Sequence, residues 1–148
     1  MSMPQWPLKI LLVHPQAPFL SKNNIVIAAD CSVLLRPELG NMYVQGTPVL
    51  IGCPLLEDPE AMMSKLKLIL ESSSGKNIEV ISMEVPCCQA LHMMVRGVVN
   101  EVRVNASISH RVVRVFTRNI EDWKPGVVDE TMTMLERMAH GVHKGEHE

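Results

Sequence analysis

Ile25-Val26-Ile27-Ala28-Ala29-Asp30-Cys31 is a short, unbroken apolar run that stops at an acid and a thiol. Its opening residues are β-branched, which favours extended backbone, and no polar position is set aside to face water. A strand of that composition is covered on both faces, as in parallel sheets packed between helices. Two further runs repeat the form. Pro48 to Gly52 stops at Cys53-Pro54, and Ile78 to Met83 passes through Glu84-Val85-Pro86 to Cys87-Cys88. An earlier run, Leu8 to Val13, leads into Pro15-Gln16-Ala17-Pro18, which cannot be strand interior because proline removes ladder donors.

The segments between these runs have helical period. Asp58 suits an N-cap and Pro59 the first helical position, with Met62, Met63, Leu66, Ile69 and Leu70 on one face and Gly75 after the end. After Cys88, Ala90, Leu91, Met94, Val95 and Val98 form a second apolar stripe. A short strand is expected at Val102 to Val104 and another at Val112 to Phe116, followed by an amphipathic C-terminal helix carrying Val128, Met132, Leu135, Met138 and Ala139. The reading is α/β: a single three-layer domain over residues 1–140, with a mostly parallel sheet of four to five strands between helices. Residues 141–148 read as a flexible tail containing His143 and His147, with His140 just before it.

At 148 residues the chain is one ordinary domain, large enough to bury roughly 70% of its unfolded surface without staples. Its four cysteines are therefore not needed for stability. Fourteen basic against sixteen acidic side chains give a net charge of −2, which argues against nucleic acid and against a polybasic hold on membranes. Arg111, Arg114 and Arg118 are too sparse for a nucleic-acid patch. No stretch has the length of a signal h-region or a membrane span, so a cytoplasmic location is expected, where cysteines stay thiols. The chain has no GxGxxG after a strand, no GxxxxGK[ST], no HExxH and no GxSxG.

Functional crevices in open parallel sheets lie outside the carboxyl ends of the strands, and all four cysteines are expected there. Helix N-termini also favour the thiolate, the form that binds metal and attacks disulfides. Cys31, Cys53, Cys87 and Cys88 are thus candidate ligands for an iron–sulfur cluster or a zinc ion, with His92, one helical turn beyond Cys88, as a fifth. Only the fold can bring them together, since no CxxC pair fixes two of them locally. Two other readings use the same residues. One is a thiol enzyme with Cys87-Cys88 as a dithiol centre and His92 as its base. The other is a cofactor-free interaction domain with inert cysteines, forming a homodimer through its C-terminal helix. Asp30 and Glu84 stand at the same strand ends, positioned to orient ligands or bind loop amides, whereas Glu57 and Asp58 read as helix-start acids.

Five ordered motifs carry a family resemblance: Trp6-Pro7, Ala17-Pro18-Phe19, Ala28-Ala29-Asp30-Cys31, Ile51-Gly52-Cys53-Pro54 and Met83-Glu84-Val85-Pro86-Cys87-Cys88. In that order they resemble the ferredoxin-like 4Fe-4S-binding proteins of anaerobic bacteria and archaea, in the domain that follows their ferredoxin module. The likeness spans about residues 5–117. It departs at Leu55, where those proteins have lysine in GCPKLDD, and at Gln89-Ala90, where they have the glycine pair of EVPCCGG. The CxxCxxCxxxCP run that ligates their clusters is absent from these residues. What the resemblance implies is low-potential redox chemistry beside a separate electron-transfer partner, with the four cysteine positions retained.

Overall fold

The computed structural model describes residues 8–39, 41, 46–72, 75–84, 86–115 and 117–124, with Leu8, Phe19, Pro86, Cys87 and Cys88 described by backbone alone. The elements in chain order are β1 (Leu8–Lys9), a 3-10 turn (Pro18–Ser21), β2 (Asn24–Ala29), α1 (Asp30–Leu35), β3 (Val49–Gly52), α2 (Pro59–Glu71), β4 (Asn77–Met83), α3 (Pro86–Val102), β5 (Ser107–Val113) and β6 (Ile120–Asp122). They build one six-stranded sheet in the order β1-β3-β2-β4-β5-β6, in which β1 to β5 are mutually parallel and β6 runs antiparallel to β5.

β2 shows why an unbroken apolar run was required. Its alternate residues Ile25, Ile27 and Ala29 enter the larger core with Met62, Leu66, Ile69 and Leu70 of α2 and Leu91, Met94, Val95 and Val98 of α3. Val26 and Ala28 enter the other core with Val49, Ile81, Val113 and Leu39, against which Val33 and Leu35 of α1 pack. The sheet therefore lies between helices, in three layers. α2 starts as its sequence dictates: Asp58 accepts from the Glu60 amide at 3.1 Å and Pro59 fills the first turn, where no amide partner is needed.

Several boundaries differ from the sequence reading, each for a local reason. β1 is two residues long, because the Leu12 and Val13 amides both turn back to the Lys9 carbonyl, at 2.9 and 3.2 Å, straight after the Ile10 amide has paired with Ile51. Ile10 and Val13 are still buried, but in a turn. The stretch expected as a short strand at Val102 is the end of α3, closed by Arg103 in the left-handed region at φ 54°. β5 begins at Ser107, pairs with β4 from Asn77↔Ser107 to Met83↔Val113, and stops three residues short of Phe116. Its first residues alternate exposed and half-buried, so no apolar run marks them. Ala90 is exposed, one residue off the 91-94-95-98 stripe. The expected C-terminal helix and tail lie outside the described residues.

Gly52, the last residue of β3, has no room for a side chain. A Cβ there would sit 2.8 Å from Met62 Cε, 2.9 Å from Ile10 Cδ1 and 3.0 Å from Glu57 Oε2. The Met62 methyl is the end of a flexible chain, but Ile10 and Glu57 close the other two sides. Gly52→Ala is expected to cost about 1–3 kcal/mol by overpacking, read as a lower urea midpoint with an unchanged slope.

Candidate functional site

Strand order fixes where the chain turns round. From β2 the chain goes to β3 on one side, and from β3 it crosses back through α2 to β4 on the other. β2 and β4 are neighbours at this switch point, outside whose carboxyl ends α/β sheets place their crevice. The residues delivered there are Asp30-Cys31 from β2, Cys53 from β3, and Glu84 followed by the start of α3 from β4.

Lys9, at the end of β1, reaches across β3. Its ammonium contacts Asp30 Oδ2 at 2.5 Å and Glu57 Oε1 at 2.8 Å. Burial alone would lower the Lys9 pKa, but hydrogen bonds to Asp30 and Glu57 and the attraction of both carboxylates outweigh it, so the net shift is upward. Glu57 uses its other oxygen to accept from the Cys53 amide at 3.1 Å, while the Leu56 and Glu57 amides turn back to the Cys53 carbonyl. Pairs this exposed contribute at most about 1 kcal/mol each, so the main work of the triad is positional. It joins the residue beside Cys31 to the loop that carries Cys53. Asp30 Oδ1 is buried with no hydrogen-bond partner among the described residues.

Cys53 is buried, and Cys31, second residue of α1, is half-buried against the larger core. Cys87 and Cys88 are the second and third residues of α3, whose first turn holds no acid. Between them and β4 stands Glu84, almost wholly buried. It accepts from the Val115 amide at 2.5 Å and pairs with Arg114 Nε at 2.9 Å, clamping the exit of β4 to that of β5. Among the described residues, no group of three or more His, Cys, Asp and Glu side chains is arranged to hold a metal ion, and those residues exclude the side chains of Cys87 and Cys88.

His92 is not placed beside the thiols. It is fully buried beneath α3, with Nε2 2.5 Å from Ser82 Oγ and Nδ1 2.9 Å from His110 Nδ1. Both ring nitrogens are thus engaged, which leaves it neither a free lone pair for a metal nor a free base for a thiol. Trp123 stacks on the ring at 4.5 Å and 12°, and its own amide donates to the His110 carbonyl at 2.9 Å. Sequence reasoning missed Ser82, His110 and Trp123 because two separate strands and the segment after a third supply them to one helix. It also read Glu57 only as a helix-start acid, although its spacing from Cys53 matches a turn that folds back on the thiol residue.

Residues 17–144 match the Rossmann-like domain family. The chain belongs to that family. An uncharacterized protein of Archaeoglobus fulgidus is 45% identical over 139 residues, covering 94% of this chain and 96% of its own length. No solved structure matches. In this Rossmann-like domain the β2–α1 turn reads Ala29-Asp30-Cys31-Ser32, without the glycines that let backbone approach a pyrophosphate. No helix among the described residues is long and apolar enough to cross a membrane.

Burial, and then the neighbouring His110, push the His92 pKa down to about 3; burial, and then Arg96, lower that of His110. Both rings bind protons more readily unfolded. The contribution of His92 to stability is whole above the unfolded value of about 6.5 and is lost as pH falls from there toward 3, and that of His110 is lost in the same direction. At about 1.4 kcal/mol per unit, the loss attributable to His92 is on the order of 3 kcal/mol by pH 4. Urea melts between pH 7 and 4 should show it, and His92→Gln should flatten the profile.

Proposed function

We propose that the carboxyl rim is a soft-metal thiol site in which Cys31, Cys53, Cys87 and Cys88 hold an iron–sulfur cluster or, in its place, a zinc ion, in a redox-associated module that works with a separate electron-transfer partner. The observation that carries this reading is the strand order. β3, β2 and β4 are consecutive in the sheet, and each is followed within five residues by cysteine. Neighbouring strands lie about 4.8 Å apart, so the three exits span about 10 Å.

The donor chemistry agrees. At the rim Asp30 and Glu57 pair with Lys9 and Glu84 pairs with Arg114, and sulfur is the donor type that follows all three strand exits. Thiolate sulfur is what iron–sulfur clusters and structural zinc accept. A bound cluster supplies one-electron transfer, whereas zinc supplies none. The chain's own part is to hold the thiols in place and, at the start of α3, to favour their ionised form. The amino end of α3 favours thiolate at Cys87 and Cys88, Glu57 fixes the Cys53 amide, and Glu84 fixes the entry to α3.

A second reading has one observation in its favour. Adjacent cysteines in the first turn of a 17-residue helix are where a dithiol enzyme would place its reactive pair. That enzyme could not use His92 as its base, since both ring nitrogens are engaged.

Protein purified without oxygen is expected to show sulfur-to-iron charge-transfer absorption and acid-labile sulfide, both diminished in Cys53→Ser and in Cys87→Ser. A colourless, metal-free protein with four titratable thiols overturns the cluster and zinc readings together. If one of those thiols then alkylates rapidly with a depressed pKa, the dithiol reading takes its place.

A further inference from the structure

The group formed by buried Ser82, His92 and Trp123 with half-buried His110 has no part in the thiol site, and its hydrogen-bond arithmetic is restrictive. A neutral imidazole carries one N–H and one lone pair. The His92 and His110 Nδ1 atoms face each other at 2.9 Å, so one of them must carry hydrogen and the other must not. At the far side of His92, Ser82 Oγ lies 2.5 Å from Nε2 and, as a hydroxyl, can either donate or accept.

We propose that Ser82, His92 and His110 form a proton-operated latch that holds α3, and with it the turn bearing Cys87 and Cys88, against the sheet. The inference is independent of any metal. While both rings are neutral, one Nδ1–H spans the gap. A first proton is tolerated: His110 takes the charge and donates through Nδ1, His92 holds its hydrogen on Nε2, and Ser82 Oγ accepts from it. A second proton gives both facing Nδ1 atoms a hydrogen, and the bond between β5 and α3 is lost with two cations in contact.

The rings are packed against one another: Trp123 lies parallel to His92 at 4.5 Å, and the His110 ring stands 5.1 Å from His92 and 5.6 Å from Trp123. Relief comes by moving α3 away from β4 and β5. The groups bearing on the pair come from every element around it. α3 adds the cation Arg96, which works against protonation of His110. β4 adds Ser82 and, two residues on, Glu84, whose charge is balanced by Arg114 beyond β5. Trp123, after β6, adds an uncharged ring whose Nε1 is buried without a partner among the described residues. No carboxylate pairs with either ring among the described residues, so no fixed negative charge holds a cation in the gap.

Hydrogen exchange of α3 amides, corrected for intrinsic rates and referenced to α2, tests the latch between pH 7 and pH 4. Protection in α3 should fall at least tenfold relative to α2, and His110→Gln, which cannot acquire the opposing charge, should flatten that difference. Equal loss in both helices, or a His110→Gln profile identical to wild type, overturns the proposal. Should that variant fail to fold, the ring nitrogens of the wild-type protein decide by long-range proton–nitrogen correlation at pH 7. One protonated and one bare Nδ1 support the latch, and hydrogen on Nε2 of both rings overturns it.

Discussion

Parallel strands must send their carboxyl ends to one edge, and in this sheet the three central strands that do so each lead into cysteine. That constraint is topological, and it sits above any single contact. β2 cannot move within the sheet, because its two sets of alternate side chains fill two different cores. With β2 fixed, the register Ala29↔Gly52 sets the level of Cys53, one residue past the last pair, as it does that of Asp30 before Cys31. The pairing of β2 with β4 up to Ala28↔Ile81 sets the level at which Glu84 and the start of α3 emerge.

Polar contacts at the rim refine positions that burial has already assigned. Lys9 ties β1 to the exit of β2 and to the loop after β3, and Glu84 ties the exit of β4 to that of β5. Both devices depend on close approach: Gly52 leaves room for Glu57 beneath Cys53, and a methyl group there would press on the carboxylate that holds the cysteine amide. The rim is thus fastened at its two flanks, with the switch point between β2 and β4 left between the fastenings. α3 is held from beneath as well, by His92 against Ser82 and His110.

Much of this was legible in the sequence wherever a pattern is local. The run from Ile25 to Ala29, the Asp58-Pro59 start of α2 and the 91-94-95-98 stripe of α3 are readable because burial on a strand or helix repeats with a short period. α1 is too short for a stripe, β6 is three residues long, and β5 starts on Ser107-Ile108-Ser109-His110, which gains its partner only from β4. At the rim, the cysteines were readable as strand-end residues, but the Lys9–Asp30–Glu57 triad spans 48 positions and leaves no local trace. His92 shows the limit most clearly. Its distance from Cys88 along the helix suggested a shared face, yet the ring lies under the helix, where β4, β5 and the segment after β6 meet it.

The central claim is that the carboxyl ends of β3, β2 and β4 bring sulfur ligands to one centre. X-ray absorption at the metal edge, on protein isolated without oxygen and carrying its native metal, tests it most directly. The account predicts a first shell of four sulfur atoms near 2.3 Å, with sulfur partly replaced by a lighter ligand in Cys53→Ser: one of four at a zinc ion, a smaller fraction averaged over the irons of a cluster. A first shell of oxygen and nitrogen, or protein in which no metal is retained, contradicts it.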